Sequence, residues 1–235
     1  RVIIQESYNL STLSGMVMFV LKIIKGTFFV EGIGAILFSF TFIPEFGVVK
    51  GIAYSLFHSV SAFCNAGFDL MGAKTPYSSL TYFVDNPVIN FVIVSLIIIG
   101  GIGFMTWDDI KVNKHHVRKY RMQSKVILIT TVLLISLPAL YFFLFEFGDK
   151  PTGERIWSSL FQSVTPRTAG FNTADLTQIS ETGTAITIML MLIGGSPGST
   201  AGGMKTTTLA VLFSTAISVF RRREHTHFFG RRVND

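Results

Sequence analysis

The sequence is poor in charge and has almost no cysteine. Charged residues make up 14% of the 235 residues and hydrophobic residues 49%, whereas an average globular domain carries about 25% charged residues. So few charges cannot cover the water-facing surface of a soluble domain, and the high apolar content excludes disorder and a collagen or coiled-coil repeat. The one cysteine, Cys64, excludes an intrachain disulfide framework and a metal site built from several cysteines.

The charges that are present are segregated along the chain. The net charge is +6, and a soluble basic protein would suggest nucleic acid as a partner. However, the basic residues cluster in 111–125 and after Phe220, whereas acidic residues dominate 146–181. Basic loops flanking apolar runs are typical of the cytoplasmic side of membrane proteins. The pattern therefore predicts a multi-pass plasma-membrane protein with cytoplasmic basic loops, a lipid bilayer as partner and no nucleic acid.

Four apolar runs approach the roughly 20 residues that a helix needs to cross a bilayer. They are residues 27–43, 88–107, 126–147 and 183–220, the last of them interrupted. The remaining segments are predicted to be a cytoplasmic approach (1–26), a basic cytoplasmic loop (108–125) and a basic cytoplasmic end (221–235). An even number of crossings places both ends on the cytoplasmic side.

The connections between the spans contain an internal repeat. The sequence SLFHSV at 55–60 matches SLFQSV at 159–164, and AGF recurs at 66–68 and 169–171. Downstream, LIIIGG at 96–101 resembles LMLIGG at 190–195. Each copy, 27–107 and 126–220, reads as a span, a half-helix, a glycine-centred loop and a second span.

Such a unit is typical of a pore. Non-helical backbone is tolerated at membrane depth only where it is buried in protein or lines a watery cavity. The half-helix and loop are predicted at 51–69 in the first copy and 153–172 in the second. Glycine at the turn lets the backbone point its carbonyls at an axis, and such carbonyls can replace the hydration shell of a monovalent cation.

Three motifs in order resemble the potassium transporters of the Trk/Ktr/HKT superfamily, and most closely the KtrB-type membrane subunits of Ktr systems. They are CNAGFD at 64–69, TPRTAGFN at 165–172 and GGSPGSTAGGMKTTT at 194–208. We refer to residues 64–69 as loop 1, to 165–172 as loop 2 and to 196–203 as loop 3. The chain would supply the second and third of the family's four repeats.

The resemblance implies an all-α membrane protein, with potassium as substrate and four loops forming one filter. In this chain the filter backbone would come from Asn65, Ala66, Gly67, Phe68, Thr168, Ala169, Gly170 and Phe171. Loop 3 would be an intramembrane gate, formed by Ser196, Pro197, Gly198, Ser199, Thr200, Ala201, Gly202 and Gly203. The family also implies a homodimer and a cytoplasmic nucleotide-binding RCK ring of KtrA or TrkA type. Sodium as coupling or modulating ion stays open, and a nucleotide would act only through the partner.

Three charged residues near the loops are further candidates. We expect Arg167 to support the filter by hydrogen-bonding loop carbonyls or a carboxylate such as Asp69, rather than to lie in the ion path. Asp69 would attract cations at the outer mouth or hydrogen-bond its own turn. Lys205, next to loop 3, would either face the pore or extend to the interface.

Two other functions fit less well. A tandem-pore potassium channel would carry filters close to TVGYG, of which NAGF and TAGF keep little besides the glycine. Residues 198–206, GSTAGGMKT, nearly match the sequence motif of a phosphate-binding loop, which would suggest a nucleotide-hydrolysing protein. Met204 breaks that motif, and no strand is expected before it. We therefore predict a transporter and not an enzyme.

Overall fold

The computed structural model describes residues 13–73, 76, 78–222, 227–228 and 231–232, and helices dominate this part of the chain. Short 3-10 turns lie at Met71–Ala73, Thr81–Phe83, Val117–Lys119 and Leu176–Gln178, and two-residue strands at His227–Phe228 (β1) and Arg231–Arg232 (β2) pair antiparallel. The helices are α1 (Leu13–Phe46), α2 (Val48–Phe63), α3 (Pro87–Gly101), α4 (Phe104–Asn113), α5 (Met122–Tyr141), α6 (Thr152–Val164), α7 (Glu181–Leu192) and α8 (Thr206–Phe220).

Helix α1 begins earlier than the predicted span at 27–43. Its apolar portion, Val17–Phe46, is 30 residues long and could cross a membrane. Lys22 and Lys25 do not end the helix because lysine is a good helix former, and Lys22 instead pairs with Asp108 at 3.6 Å. Pro44, expected to close the span, lies inside the final turn. Residues 1–12 of the predicted approach segment lie outside the described residues.

The predicted span 88–107 is broken by a sharp bend. Helices α3 and α4 meet at an angle of 96°, and Gly103 between them has a φ of +87°, which is a conformation that favours glycine. The Trp107 indole N–H donates to the Ile99 carbonyl oxygen at 2.9 Å across the bend. Charged helix α4 therefore leaves the direction of α3 instead of extending it.

In the second half of the chain, one long apolar helix precedes shorter helices. Helix α5 continues into a π-helical turn, Phe142–Glu146, and together Met122–Glu146 is 25 residues long and apolar enough to span a membrane. Residues 193–205 separate α7 from α8, so the predicted span 183–220 is two shorter helices. Of the predicted cytoplasmic end, 223–226, 229–230 and 233–235 lie outside the described residues.

The buried core lies where α1, α2, α3 and α6 meet. Phe38 and Phe42 of α1, Phe63 of α2, Ile93 of α3 and Phe161 of α6 are all at most 1% exposed. Many other large apolar side chains face outwards, for example Phe28, Phe40, Phe145 and Phe213. Exposed apolar surface on this scale is typical of a protein surrounded by lipid or by further protein.

Candidate functional site

Loops 1 and 2 adopt the same unusual backbone. In loop 1, Asn65 and Gly67 have φ values of +52° and +70°, and in loop 2, Thr168 and Gly170 have +72° and +89°. The residue between each pair has no positive φ. An alternation of positive and negative φ is a backbone conformation that can turn successive carbonyl groups towards one side, as a carbonyl-lined filter requires. Because L side chains rarely adopt positive φ, Asn65 and Thr168 hold a strained conformation of the kind found at functional sites.

The two loops meet backbone to backbone at their glycines. A Cβ added to Gly67 would lie 2.1 Å from the Ala169 carbonyl oxygen and 3.0 Å from the Gly170 Cα. A Cβ on Gly170 would lie 3.7 Å from the Gly67 Cα and would be strained by its φ. The sequence repeat therefore brings its two glycines together, with no room for a side chain at Gly67.

A hydroxyl group closes each loop at an equivalent position. The Ser61 hydroxyl donates to the Phe68 carbonyl oxygen at 2.7 Å, and the Thr165 hydroxyl donates to the Phe171 carbonyl oxygen at 2.5 Å. We call these bonds the hydroxyl clamps. Sequence reasoning missed both residues, although extending the SLFHSV and SLFQSV alignment by one position would have paired Ser61 with Thr165.

Helices α2 and α6 end directly before loops 1 and 2, so their carboxyl-terminal carbonyls lie next to the loops. The carboxyl end of a helix carries a partial negative charge that favours a cation. Buried His58 of α2 supports loop 1, because its Nδ1 lies 2.7 Å from the Tyr54 carbonyl oxygen and the Leu70 backbone N–H donates to its Nε2 at 3.3 Å. These contacts fit the neutral Nδ1–H tautomer.

Arg167 and Asp69 have separate contacts. Arg167 is buried, and its Nη2 donates to the Gly194 carbonyl oxygen at 3.5 Å. Asp69 accepts a bond from the Met71 backbone N–H at 3.0 Å and closes its own turn. No ion pair joins the two within the described ranges, and the bond to Gly194 brings Arg167 towards loop 3.

The outer ends of the loops carry polar groups in turns. Asn172, at the position of Asp69 in the second copy, accepts from the Ala174 backbone N–H at 3.3 Å. Asp175 is exposed and accepts hydrogen bonds from the Thr177 hydroxyl at 2.7 Å and backbone N–H at 3.0 Å. These bonds lower the pKa of the Asp175 carboxyl group. A negative charge therefore remains beside loop 2 in mildly acidic water.

Loop 3 is bonded to loop 1 and to the bend between α3 and α4. The Thr200 hydroxyl donates to the Phe63 carbonyl oxygen at 2.8 Å and accepts from the Asn65 side-chain amide at 2.9 Å. The Ser196 backbone N–H donates to the Gly101 carbonyl oxygen at 2.9 Å, and the Phe104 N–H donates to the Gly198 carbonyl oxygen at 2.9 Å. Any movement of the bend would therefore move loop 3.

The two ends of loop 3 lie close together and are joined by a hydrogen bond between the residues that flank them. The Gly194 backbone N–H donates to the Met204 carbonyl oxygen at 2.9 Å, and a Cβ on Gly194 would clash with the Gly202 carbonyl oxygen at 1.7 Å. The Lys205 ammonium group donates to the Ala201 carbonyl oxygen at 2.8 Å. Lys205 thus turns back onto loop 3.

Helix α7 precedes loop 3, whereas a phosphate-binding loop requires a strand at this position.

Comparisons with known proteins agree with the motifs. Residues 4–234 match the family model described as TrkH, cation transport protein. The chain belongs to this family. It is 42% identical to the potassium/sodium uptake protein NtpJ of Enterococcus hirae over 99% of the chain and 51% of that protein. It is also 34% identical to the Ktr system potassium uptake protein B of Bacillus subtilis, over 99% of the chain and 52% of that protein.

A solved structure confirms the fold. The crystal structure of the potassium transporter TrkH from Vibrio parahaemolyticus superposes with a TM-score of 0.71 at 21% identity, over 98% of this chain and 50% of that one. This structure confirms the predicted fold class, and the family model confirms the predicted superfamily. The relatives are named as uptake proteins. The chain spans about half the length of these relatives.

Proposed function

We propose that the chain forms two of four repeats around a potassium-uptake pore in the plasma membrane. The single observation that carries this proposal is the contact between loops 1 and 2, which have matching positive φ values and facing glycines. In the proposal, the two loops contribute to a ring of carbonyls. Such carbonyls dehydrate a potassium ion on entry. The carboxyl ends of α2 and α6 add negative potential beside the ring.

Loop 3 acts as the gate in this proposal. It is unwound backbone between two apolar helices, a feature that recurs beside transport pathways. Its bonds to Phe63 and Asn65 attach it to the base of loop 1, and its bonds to Gly101 and Phe104 attach it to the bend. Opening requires these bonds to be exchanged for others.

The cytoplasmic side receives the regulatory partner. Helix α4 leads from the bend into the basic segment 108–125, where a nucleotide-binding RCK ring docks against a homodimer of the complete subunit. The name of the Bacillus subtilis relative, a Ktr system protein, supports a system of several components. The name of NtpJ, a potassium/sodium uptake protein, makes sodium a second ion to test.

The filter is tested by Gly67→Ser and Gly170→Ser in the complete subunit, with Gly72→Ser as matched control. A Cβ at Gly72 would meet nothing within 4 Å, whereas Gly67 and Gly170 are constrained by contact and by φ. Rubidium uptake is measured in competition with potassium and with sodium. We expect the first two variants to lower the preference for potassium over sodium at least about tenfold, which is equivalent to roughly 1.4 kcal/mol. We expect Gly72→Ser to behave as wild type.

Expression and membrane insertion of each variant are measured alongside uptake, because a side chain at Gly67 also strains the fold. Unchanged uptake kinetics in both filter variants would remove the filter assignment. Equal losses in all three variants would point to general damage and would likewise count against a specific role for the two glycines.

A further inference from the structure

A small cavity lies between loops 1 and 2, loop 3 and helix α5. Its polar lining comes from Asn65 of loop 1, Arg167 of loop 2 and Thr131 of α5, and Gly195 and Ala201 close it near loop 3. Its volume is about 10 Å³, which is the space that one water molecule needs. The cavity therefore joins the loops of the proposed filter and gate at one point.

Three buried polar atoms of this lining have no hydrogen-bond partner in the protein. They are Asn65 Oδ1, Thr131 Oγ1 and Arg167 Nε, which have no partner among the residues that the structure describes, and their residues are 8%, 6% and 8% exposed. A buried polar group without a partner costs about 1–3 kcal/mol, and native proteins rarely leave one. Three such atoms around one cavity indicate a common ligand.

The chemistry of the three atoms selects the ligand. The Asn65 amide is oriented by the bond from its Nδ2 to the Thr200 hydroxyl, so its Oδ1 remains as an acceptor. Arg167 Nε can only donate, and Thr131 Oγ1 can do either. A metal cation would be repelled by the guanidinium group, and an anion would be repelled by the Asn65 oxygen.

We propose that this cavity holds a single water molecule that bridges the two loops and α5. The water accepts from Arg167 Nε–H and donates to Asn65 Oδ1 and to Thr131 Oγ1, which gives it the three bonds typical of buried water. Through the Asn65 amide, the water also braces Thr200 and hence loop 3. The functional part of this proposal, that the water maintains ion selectivity, rests on the proposed function.

The test uses Thr131, which belongs to neither the filter nor the gate. Thr131→Val keeps the shape and removes the hydroxyl, Thr131→Ser keeps the hydroxyl, and Thr130→Val is the neighbouring control on the same helix. The complete subunit and these variants are solved at a resolution that shows other buried waters. We expect a solvent peak within hydrogen-bond distance of all three atoms in wild type, Thr131→Ser and Thr130→Val, and none in Thr131→Val.

Rubidium uptake is then measured in competition with potassium and sodium. We expect Thr131→Val to lose about three- to tenfold in potassium preference, since one bond of the bridge is removed, and Thr131→Ser and Thr130→Val to match wild type. Absence of the peak in wild type, or its persistence in Thr131→Val, overturns the site. A peak that changes between sodium-free and potassium-free buffers overturns water as the ligand.

The two proposals fail separately in this experiment. A solvent peak in a subunit that transports no potassium would support the water site and reject the proposed function. Loss of the peak in Thr131→Val without any change in selectivity, in a subunit that does transport potassium, would reject the role of the water in selectivity and leave the pore assignment in place.

Discussion

At the residue scale, the hydroxyl clamps are the most specific feature of the two loops. Ser61 and Thr165 hold the carbonyls of Phe68 and Phe171 from equivalent positions. The neighbouring residues differ between the copies, since Asn65 of loop 1 corresponds to Thr168 of loop 2, yet both have positive φ. What the repeat preserves is therefore the backbone geometry and the groups that hold it.

Removing a clamp should loosen the loop that it closes. We expect Ser61→Ala and Thr165→Ala each to reduce potassium preference about three- to tenfold, because a lost hydrogen bond costs about 1 kcal/mol and an unpaired carbonyl adds to this cost. Rubidium uptake competed by potassium and sodium measures the effect. Ser136→Ala is the control, since the Ser136 hydroxyl bonds only its own helix on an exposed face; an equal loss in this control would contradict a specific clamp.

At the element scale, the bend between α3 and α4 is the structural support of loop 3. Gly103 has a φ of +87°, and a Cβ there would lie 2.7 Å from the Pro197 carbonyl oxygen. The glycine therefore permits both the turn and the close approach of loop 3. Because α4 continues into the basic segment, a force applied there reaches loop 3 through the bonds of Phe104 and Gly101.

A side chain at the bend should disturb gating more than ion selection. We expect Gly103→Ala to displace loop 3, to change the flux of the complete subunit at least about threefold and to weaken its response to the regulatory partner, while potassium preference stays near wild type. A displacement of this kind costs on the order of 1 kcal/mol or more. Rubidium influx with and without the partner measures both quantities.

Gly148→Ala is the control for the bend, because a Cβ at Gly148 would meet nothing within 4 Å. Normal flux and normal regulation in Gly103→Ala would contradict the assignment of the bend as the support of the gate.

The elements also show what the sequence could predict. The half-helices and loops at 51–69 and 153–172 were predicted from the repeat of their motif. The early start of α1 was not predicted, because Lys22 and Lys25 interrupt the apolar sequence before residue 27 although lysine continues a helix. The bend at Gly103 was read as part of one span because the close approach of Pro197, which requires the glycine, comes from a segment distant in sequence.

The hydrogen-bond partners of the site were the least predictable part. Arg167 was expected to bond loop carbonyls or a carboxylate such as Asp69, and the sequence did not specify the carbonyl that it bonds, which is that of Gly194. For Lys205, expected to face the pore or extend to the interface, the sequence did not specify the bond to the Ala201 carbonyl oxygen. Both outcomes depend on how loop 3 folds back, and glycine-rich sequence does not specify such a path on its own.

At the scale of the whole molecule, the two repeats are buried unequally. Phe171 of loop 2 is 1% exposed and packs in the core of the first repeat, whereas Phe68 of loop 1 is 70% exposed. The chain covers about half the length of its relatives. In the proposed pore of four repeats, the symmetry of the repeat would place Phe68 against a neighbouring repeat of the complete subunit.

This inference predicts the stability of the complete subunit. We expect Phe68→Ala and Phe171→Ala to destabilise it similarly, by about 3 kcal/mol, because each removes a large buried ring. Phe28→Ala, which truncates an exposed ring on α1, should have little effect. Thermal unfolding of the purified subunit provides the comparison, and a Phe68→Ala variant as stable as Phe28→Ala would show that no further repeat covers loop 1.

The most direct test of the central claim is rubidium uptake in a potassium-uptake-deficient bacterium that carries the full-length gene, with and without an RCK partner. We predict saturable uptake that prefers potassium over sodium and is strengthened by the partner. Absence of uptake by a well-expressed and inserted protein, or uptake that does not distinguish potassium from sodium, would contradict the proposed filter and pore.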